Sequence, residues 1–284
     1  MLVKEIVDRI IEYSDVPFQL ENTCDILMAG DYGNDVSGVV TTFMATADVI
    51  RRAAELGANL IITHEPTYFT GADTTEWLDG EPVYRAKMDL IDSNGISIWR
   101  YHDHMHMKNP DAIYAGLNKR LGWEKYAAPP REGTSPIESL DSFVDHFTDY
   151  YDIPPVTLAE LAGEFKQKLD MDTIRIVGNP SMLCKRVGIL VGGGSLGFGR
   201  EEMPAQIMRK YDIDVMVCGD ITEWTLCAYV NDAQQLGFDH AMLVVGHERT
   251  EEWGMEYMAQ WLPEVLGNNV PVAFVDAKEP FIYL

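Results

Sequence analysis

Between Val36 and Thr63 the chain passes from a β-rich stretch, Val36 to Ala45, through a segment of helical spacing, Asp48 to Leu56, to a short apolar run, Asn59 to Thr63. Strand, helix and strand in so few residues make a βαβ unit, which commits the sheet to being at least partly parallel. Gly57 stands where a helix of this kind takes its C-cap. Ligand-binding residues of such sheets lie beyond the carboxyl ends of the strands. Here that end delivers His64 and Glu65, in the sequence THEP.

The rhythm continues on both sides. The opening MLVKEIVDRIIEY reads as an amphipathic helix with Val3, Ile6, Ile10 and Ile11 inward, and its regular charges exclude a signal peptide or a membrane span. Thr70 to Pro82 reads as a loop carrying an isolated Trp77, either a flap or a surface excursion. Pro82 to Asn94 is helical and Ile96 to Tyr101 a strand that runs into HDHMH. Asn109-Pro110-Asp111 opens a helix over Ala112 to Leu121. From Ala127 the composition shifts: AAPPREGTSP and the later DIPP bracket an acidic, aromatic segment. This divides the chain into an N-terminal α/β lobe (1–126), a linker with a short helix (127–156) and a C-terminal α/β lobe (157–284), whose last residues are free to pack back on the first. Thr157 and Glu160 form a capping box for a helix running to Leu169. Strands follow at Ile174–Val177, Val187–Val191, Val215–Cys218, Ala241–Val245 and Val270–Val275. Helices are expected near Met203–Tyr211 and over Thr225–Leu236.

Composition narrows the function classes. With 284 residues, 46% of them hydrophobic, the chain can bury a substantial core. A net charge of -23 argues against nucleic acid as a main partner, although a local basic pocket could still hold a small anion. Four scattered cysteines without a CxxC pair imply reduced thiols and a cytoplasmic setting.

Five of the seven histidines fall in three short stretches, each after an expected strand: His64 in THEP, His102, His104 and His106 in HDHMH, and His247 in GHERTE. In extended backbone the three histidines of HDHMH point to one side. His247 and Glu251, at i and i+4, share a helical face. Each stretch also brings carboxylates, Glu65, Asp103 and Glu251, and imidazole with carboxylate suits zinc, iron or manganese. Taken alone, GHERTE also reads as a surface histidine beside a solvated acidic run, Glu248 to Glu252, and HDHMH as a chance His-rich loop. Gly192, Gly194 and Gly197 satisfy GxGxxG after a strand, nominally a dinucleotide fingerprint. A tight turn admitting another backbone or a small anion fits the same residues. Ser195 lacks the GxSxG frame of a nucleophile.

Taken in order, THEP, HDHMH, the strand with its GGGS loop, CGD and GHERTE resemble the Nif-three-like proteins over nearly the whole chain. That resemblance implies two similar α/β lobes with mixed, partly parallel sheets and a metal cleft between them, assembled as a toroidal hexamer. It also implies a dinuclear centre of two divalent ions (zinc, iron or manganese) and the label GTP cyclohydrolase I type two. The family's His-His pair falls on His64 and Glu65. Its H-T-N-L-D motif falls on His102 to His106, and its G-H-x-x-[ST]-E motif on His247, Thr250 and Glu251. The implied ligands are His64, Glu65, His106, His247 and Glu251, with His102 and His104 as secondary candidates. One imidazole and one carboxylate have exchanged places, so the set keeps three imidazoles and two carboxylates. Glu251 would bridge the ions, and Asp103 or Glu248 would orient a water. Arg100, Arg200 or Arg249 would hold a substrate anion. The implied function is metal-dependent hydrolysis of a small anionic or heterocyclic, nucleotide-like substrate. A non-catalytic metal-binding or regulatory ring is the alternative, and nucleotide binding through the Gly192 loop is a third.

Overall fold

The computed structural model describes residues 1–16, 22–127 and 149–284. The stretch 128–148, which holds most of the expected linker and its short helix, lies outside the described residues. In chain order the first half contains helix α1 (Val3–Ser14), strands β1 (Leu27–Ala29) and β2 (Val39–Thr42), helix α2 (Ala47–Glu55) and strand β3 (Leu60–Thr63). It continues with helix α3 (Pro82–Ser93), strand β4 (Ser97–Arg100) and helices α4 (Asp103–Met107) and α5 (Ala112–Leu121). The second half contains β5 (Asp149–Thr157), α6 (Leu158–Lys168), β6 (Arg175–Val177), β7 (Leu183–Leu190) and α7 (Met203–Tyr211). After these come β8 (Val215–Cys218), α8 (Ala228–Gln235), β9 (Ala241–Val244), α9 (His247–Val265) and β10 (Val272–Phe274).

Two compact units divide these elements. The first is residues 1–116 with 252–279, and the second is residues 117–251 with 280–284. The protein is thus α/β, with one mixed five-stranded sheet in each unit.

The first sheet has the order β1-β4-β3-β2-β10. Strands β4, β3, β2 and β10 are parallel and only the edge strand β1 is antiparallel. Every residue of β2, β3 and β4 is buried, as parallel strands covered on both faces require. Val40, Ile61 and Ile98 pack in one cluster with Ile50 of α2 and Ile91 of α3. Of the residues expected inward on α1, Val3, Ile6 and Ile10 are buried, while Ile11 is only half-buried. Thr46 caps α2 through Val49 N at 3.2 Å, and Pro82 occupies the first turn of α3, where a missing N–H costs nothing.

The second sheet has the order β5-β7-β8-β9-β6, with β7, β8 and β9 parallel and both edge strands antiparallel. The DIPP residues, expected at the end of a linker, lie inside β5 instead. Its register breaks between Asp152 and Val156, and an edge strand tolerates Pro154 and Pro155 because its outer N–H groups have no ladder to serve. The Thr157–Glu160 capping box is present, with Glu160 N donating to Thr157 Oγ1 at 3.2 Å and Thr157 N to Glu160 Oε2 at 2.8 Å. The helix expected over Thr225–Leu236 begins with a π-turn, Glu223–Cys227. Among the described residues no helix is long and apolar enough to cross a membrane.

Candidate metal centre

In the first unit the site grows from the carboxyl ends of β3 and β4. His64 follows β3 and is fully buried, its N–H held by Thr42 O at 3.2 Å and Phe43 O at 3.0 Å. Beyond β4 the backbone does not stay extended. HDHMH forms the short helix α4, which puts His102 and His106 four residues apart on one face instead of aligning all three histidines. Five residues cannot sustain a helix unaided. Asp25 supplies the missing cap from far back in the chain: its carboxylate accepts the N–H groups of His102 (2.6 Å), Asp103 (2.8 Å) and His104 (2.9 Å).

Three imidazoles therefore converge. The His64 ring lies 4.6 Å from that of His102 and 4.9 Å from that of His106, and His102 and His106 are 4.9 Å apart. One ring nitrogen from each falls within 4.8 Å of the others, a spacing that one cation can span. Glu65 joins them, its Oε1 3.8 Å from His102 Nε2. His104 turns away to Asp25, at 2.6 Å from Nδ1 to Oδ2.

The Nδ1 contacts select the nitrogen that would meet a metal. His106 Nδ1 lies 2.9 Å from Asp111 Oδ2, His102 Nδ1 2.9 Å from Asp103 Oδ1, and His64 Nδ1 3.3 Å from Tyr101 O. Each acceptor favours the tautomer protonated at Nδ1, which leaves Nε2 as the nitrogen available to a cation. Asp111 does two tasks, since its Oδ1 also caps α5 through Ile113 N at 2.8 Å. Asp103 is anchored as well, by Thr23 Oγ1 (2.9 Å), Cys24 N (3.0 Å) and Cys24 Sγ (3.2 Å). Burial alone would raise the Asp103 carboxyl, but hydrogen bonds from His102 and Cys24 overcome it and hold the group well below the usual carboxylate range. Cys24, His102 and Asp103 form a second group close enough to ligate. Burial pushes the Cys24 thiol up to about 12 against the pull of Arg100, so a cation there would have to displace its proton.

In the second unit His247 opens α9 after β9. Its Nδ1 lies 2.8 Å from Asp220 Oδ2 and its Nε2 3.0 Å from Glu251 Oε2, one turn on. Asp220 ends the CGD stretch after β8, so two adjacent strand ends build this pair. The glycine loop fits against it. Gly192 has φ of +49°, and a Cβ there would stand 1.9 Å from Glu251 Oε1 and 2.6 Å from His247 Nε2. Its N–H donates to Thr250 Oγ1 at 3.0 Å. Gly219 packs on it in turn, where a Cβ would meet Gly192 O at 2.4 Å. Close backbone approach to the His247–Glu251 pair is therefore what these glycines allow. Ser195 is buried, with its hydroxyl donating to Asp220 O, a structural bond.

The other candidates are placed as follows. Glu248 and Arg249 are both buried and lie 3.3 Å apart. Arg200 stands at the surface, 3.9 Å from Glu202. Arg100 is buried, with Nη1 donating to Gly71 O at 2.9 Å and lying 3.8 Å from Asp73 Oδ2. The sequence alone does not single out Asp25, Asp111 and Asp220 as orienting groups. The sequence places Asp25 in a loop after the first helix, Asp111 at a helix start and Asp220 at a strand end, and none of these positions distinguishes an orienting group.

Asp111→Asn should lower metal affinity by about 10–100-fold while α5 stays capped. The new amide retains an oxygen for Ile113 N but turns an N–H₂ toward His106 Nδ1, which drives the imidazole proton to Nε2, where a metal would sit. Chelator competition reads the affinity; an unchanged value would deny Asp111 that role.

The chain matches the profile of the Duf34/NIF3 (NGG1p interacting factor 3) family over residues 1–280. A GTP cyclohydrolase 1 type 2 homolog from Clostridium perfringens is 26% identical over 265 residues, covering 91% of this chain and 90% of its own. A homolog of the same description from Haemophilus influenzae is 23% identical over 269 residues, covering 95% and 92%. Among solved structures, a Bacillus cereus protein related to NIF3 superposes with a TM-score of 0.73 at 18% identity, over 100% of this chain and 99% of that one. Reduced HcgD from Methanocaldococcus jannaschii gives 0.62 at 16% identity, over 98% of each chain. These structures are similar in fold.

Proposed function

The chain belongs to the Duf34/NIF3 family, and from that membership we propose that it is a metal-dependent hydrolase of a small anionic or heterocyclic, nucleotide-like substrate. The observation that carries this reading is the convergence of His64, His102 and His106 with every Nδ1 engaged by an acceptor. A histidine cluster kept only for packing has no need of three separate orienting groups.

In this reading His64, Glu65, His106, His247 and Glu251 are the ligands of two divalent cations, with His102 as a further candidate. Cations so held polarise a carbonyl, imine or phosphate centre and acidify a water. The chain's own contribution is orientation. Asp111, Asp103 and Asp220 keep protons at the Nδ1 atoms of His106, His102 and His247, and the buried Glu251 carboxylate adds negative charge. The mixed imidazole and carboxylate set suits zinc, iron or manganese better than calcium or magnesium.

The test is elemental analysis of purified protein beside a hydrolysis screen over phosphoesters, cyclic amides and nucleotides, before and after chelation. Metal approaching about two ions per chain is expected, with turnover lost to chelator and restored by metal. Protein that holds metal, captures a partner and hydrolyses nothing would replace this reading with a non-catalytic binding assembly. Protein without metal affinity would sink both.

A further inference from the structure

Arg100 and Thr63 are register partners at the carboxyl ends of β4 and β3, so their side chains leave the sheet on the same face. Two residues earlier on that face, Ile98 and Ile61 pack in the core with Ile91 of α3. Arg100 is 6% exposed. One nitrogen, Nη1, suffices for its bond to Gly71 O, yet Nε is buried without a hydrogen-bond partner. The hydroxyls of Thr63 and Thr67 are buried in the same condition.

Arg100 and Thr67 are joined through Asp73, and Thr63 lies beside Arg100 in the sheet. The Asp73 carboxylate accepts the N–H groups of Thr67 and Tyr68 and lies 3.8 Å from Arg100. Lys87 reaches in from α3, its Nζ donating to Thr67 O at 2.6 Å and lying 5.2 Å from the centre of the Phe69 ring. Burial pushes the Lys87 ammonium down to about 8, against the opposing pull of Asp73. The cluster therefore holds two cations against one carboxylate whose oxygens already serve two backbone donors.

Buried polar groups are as a rule satisfied, and exceptions mark a ligand, an ion or a water. Arg Nε is a donor only, and both threonine hydroxyls can turn to donate. An occupant that offers acceptors and negative charge answers all three groups and the excess cation. In a protein with net charge -23, non-specific attraction for anions is weak, so such a pocket has to be local. We propose that Arg100, Lys87, Thr63 and Thr67 form a binding site for a small oxyanion of the phosphate class. His64 and His102 follow Thr63 and Arg100 by one and two residues. On the hydrolase reading above, on which this step alone rests, the oxyanion is the phosphate group of the substrate.

Titration calorimetry with inorganic phosphate on chelator-treated protein tests the site apart from any metal. Saturable binding is expected, and Arg100→Gln and Lys87→Gln should each weaken it by about tenfold or more, the loss of one charge-assisted contact. His64→Ala should leave it unchanged, so failure of the metal reading does not touch this result. Absence of saturable binding, or equal affinity in Lys87→Gln and the parent, overturns the site. Should Arg100→Gln fail to fold, Lys87→Gln, at a half-buried position, decides the question alone. Competition by a nucleoside monophosphate supports the substrate role. Its absence overturns that role and limits the site to free phosphate.

Discussion

On the proposed metal-centre reading, Glu251→Ala will leave the protein with little metal, and Gly192→Ala will do the same without removing a ligand atom. Glu251 is 3% exposed, and its Oε2 lies 3.0 Å from His247 Nε2. Its truncation removes the carboxylate that lies against His247 Nε2. Orienting partners of metal ligands are worth about 10–100-fold in affinity, so loss of a ligand itself should exceed about 100-fold. Gly192 works by absence. A methyl group there would overlap Glu251 Oε1 at 1.9 Å and His247 Nε2 at 2.6 Å. Both are the far ends of side chains, so they swing aside and the backbone keeps its path. Alanine at φ +49° adds strain of about 1–2 kcal/mol, which a domain of this size withstands. The expected result is a folded Gly192→Ala protein with metal content near that of Glu251→Ala. Elemental analysis beside circular dichroism reads both, and a Gly192→Ala protein with full metal content would refute the argument.

That glycine shows where sequence reasoning reaches and where it stops. GxGxxG after a strand announces that something must approach the backbone closely, but the same pattern serves a dinucleotide and a pair of side chains equally. Only the fold decides, by bringing β9 beside β8 and so His247 against Asp220. Local signals are legible in full: the Thr157–Glu160 capping box is a contract within one turn, and it holds. HDHMH reads as extended, wrongly, because the group that makes it helical, Asp25, lies far back in sequence. No window on the motif contains that cap. The DIPP residues mislead for a related reason. Proline excludes a central strand, and composition alone does not say that β5 is an edge. The histidines declare themselves by clustering, whereas Asp111 and Asp220 are ordinary carboxylates until the tertiary structure aims them at Nδ1 atoms.

Gly116→Ala will destabilise the protein by about 2 kcal/mol or more, although it replaces glycine by the best helix former in the middle of α5. On propensity alone the change should stabilise by about 1 kcal/mol. Packing within the first unit reverses the sign. A Cβ at Gly116 would stand 2.3 Å from Trp253 O and 2.6 Å from Gly254 Cα, so it meets the backbone of α9, which cannot swing aside. The contact is reciprocal: a Cβ at Gly254 would meet Ile113 Cδ1 at 2.5 Å and Ile113 Cα at 2.8 Å. Two helices pressed together through paired glycines must separate or shift to admit a methyl, and that opens voids among Met105, Ile113 and Met255, all fully buried. Gly163 supplies the control. It lies on the exposed face of α6, and a Cβ there would meet nothing within 4 Å, so Gly163→Ala should raise stability by about 1 kcal/mol. In thermal unfolding Gly116→Ala should lower the midpoint by roughly 4–8 °C and Gly163→Ala raise it by roughly 2–4 °C. If both variants gained stability alike, close approach of α5 and α9 would not be what Gly116 is for, and helix propensity would have decided at both sites.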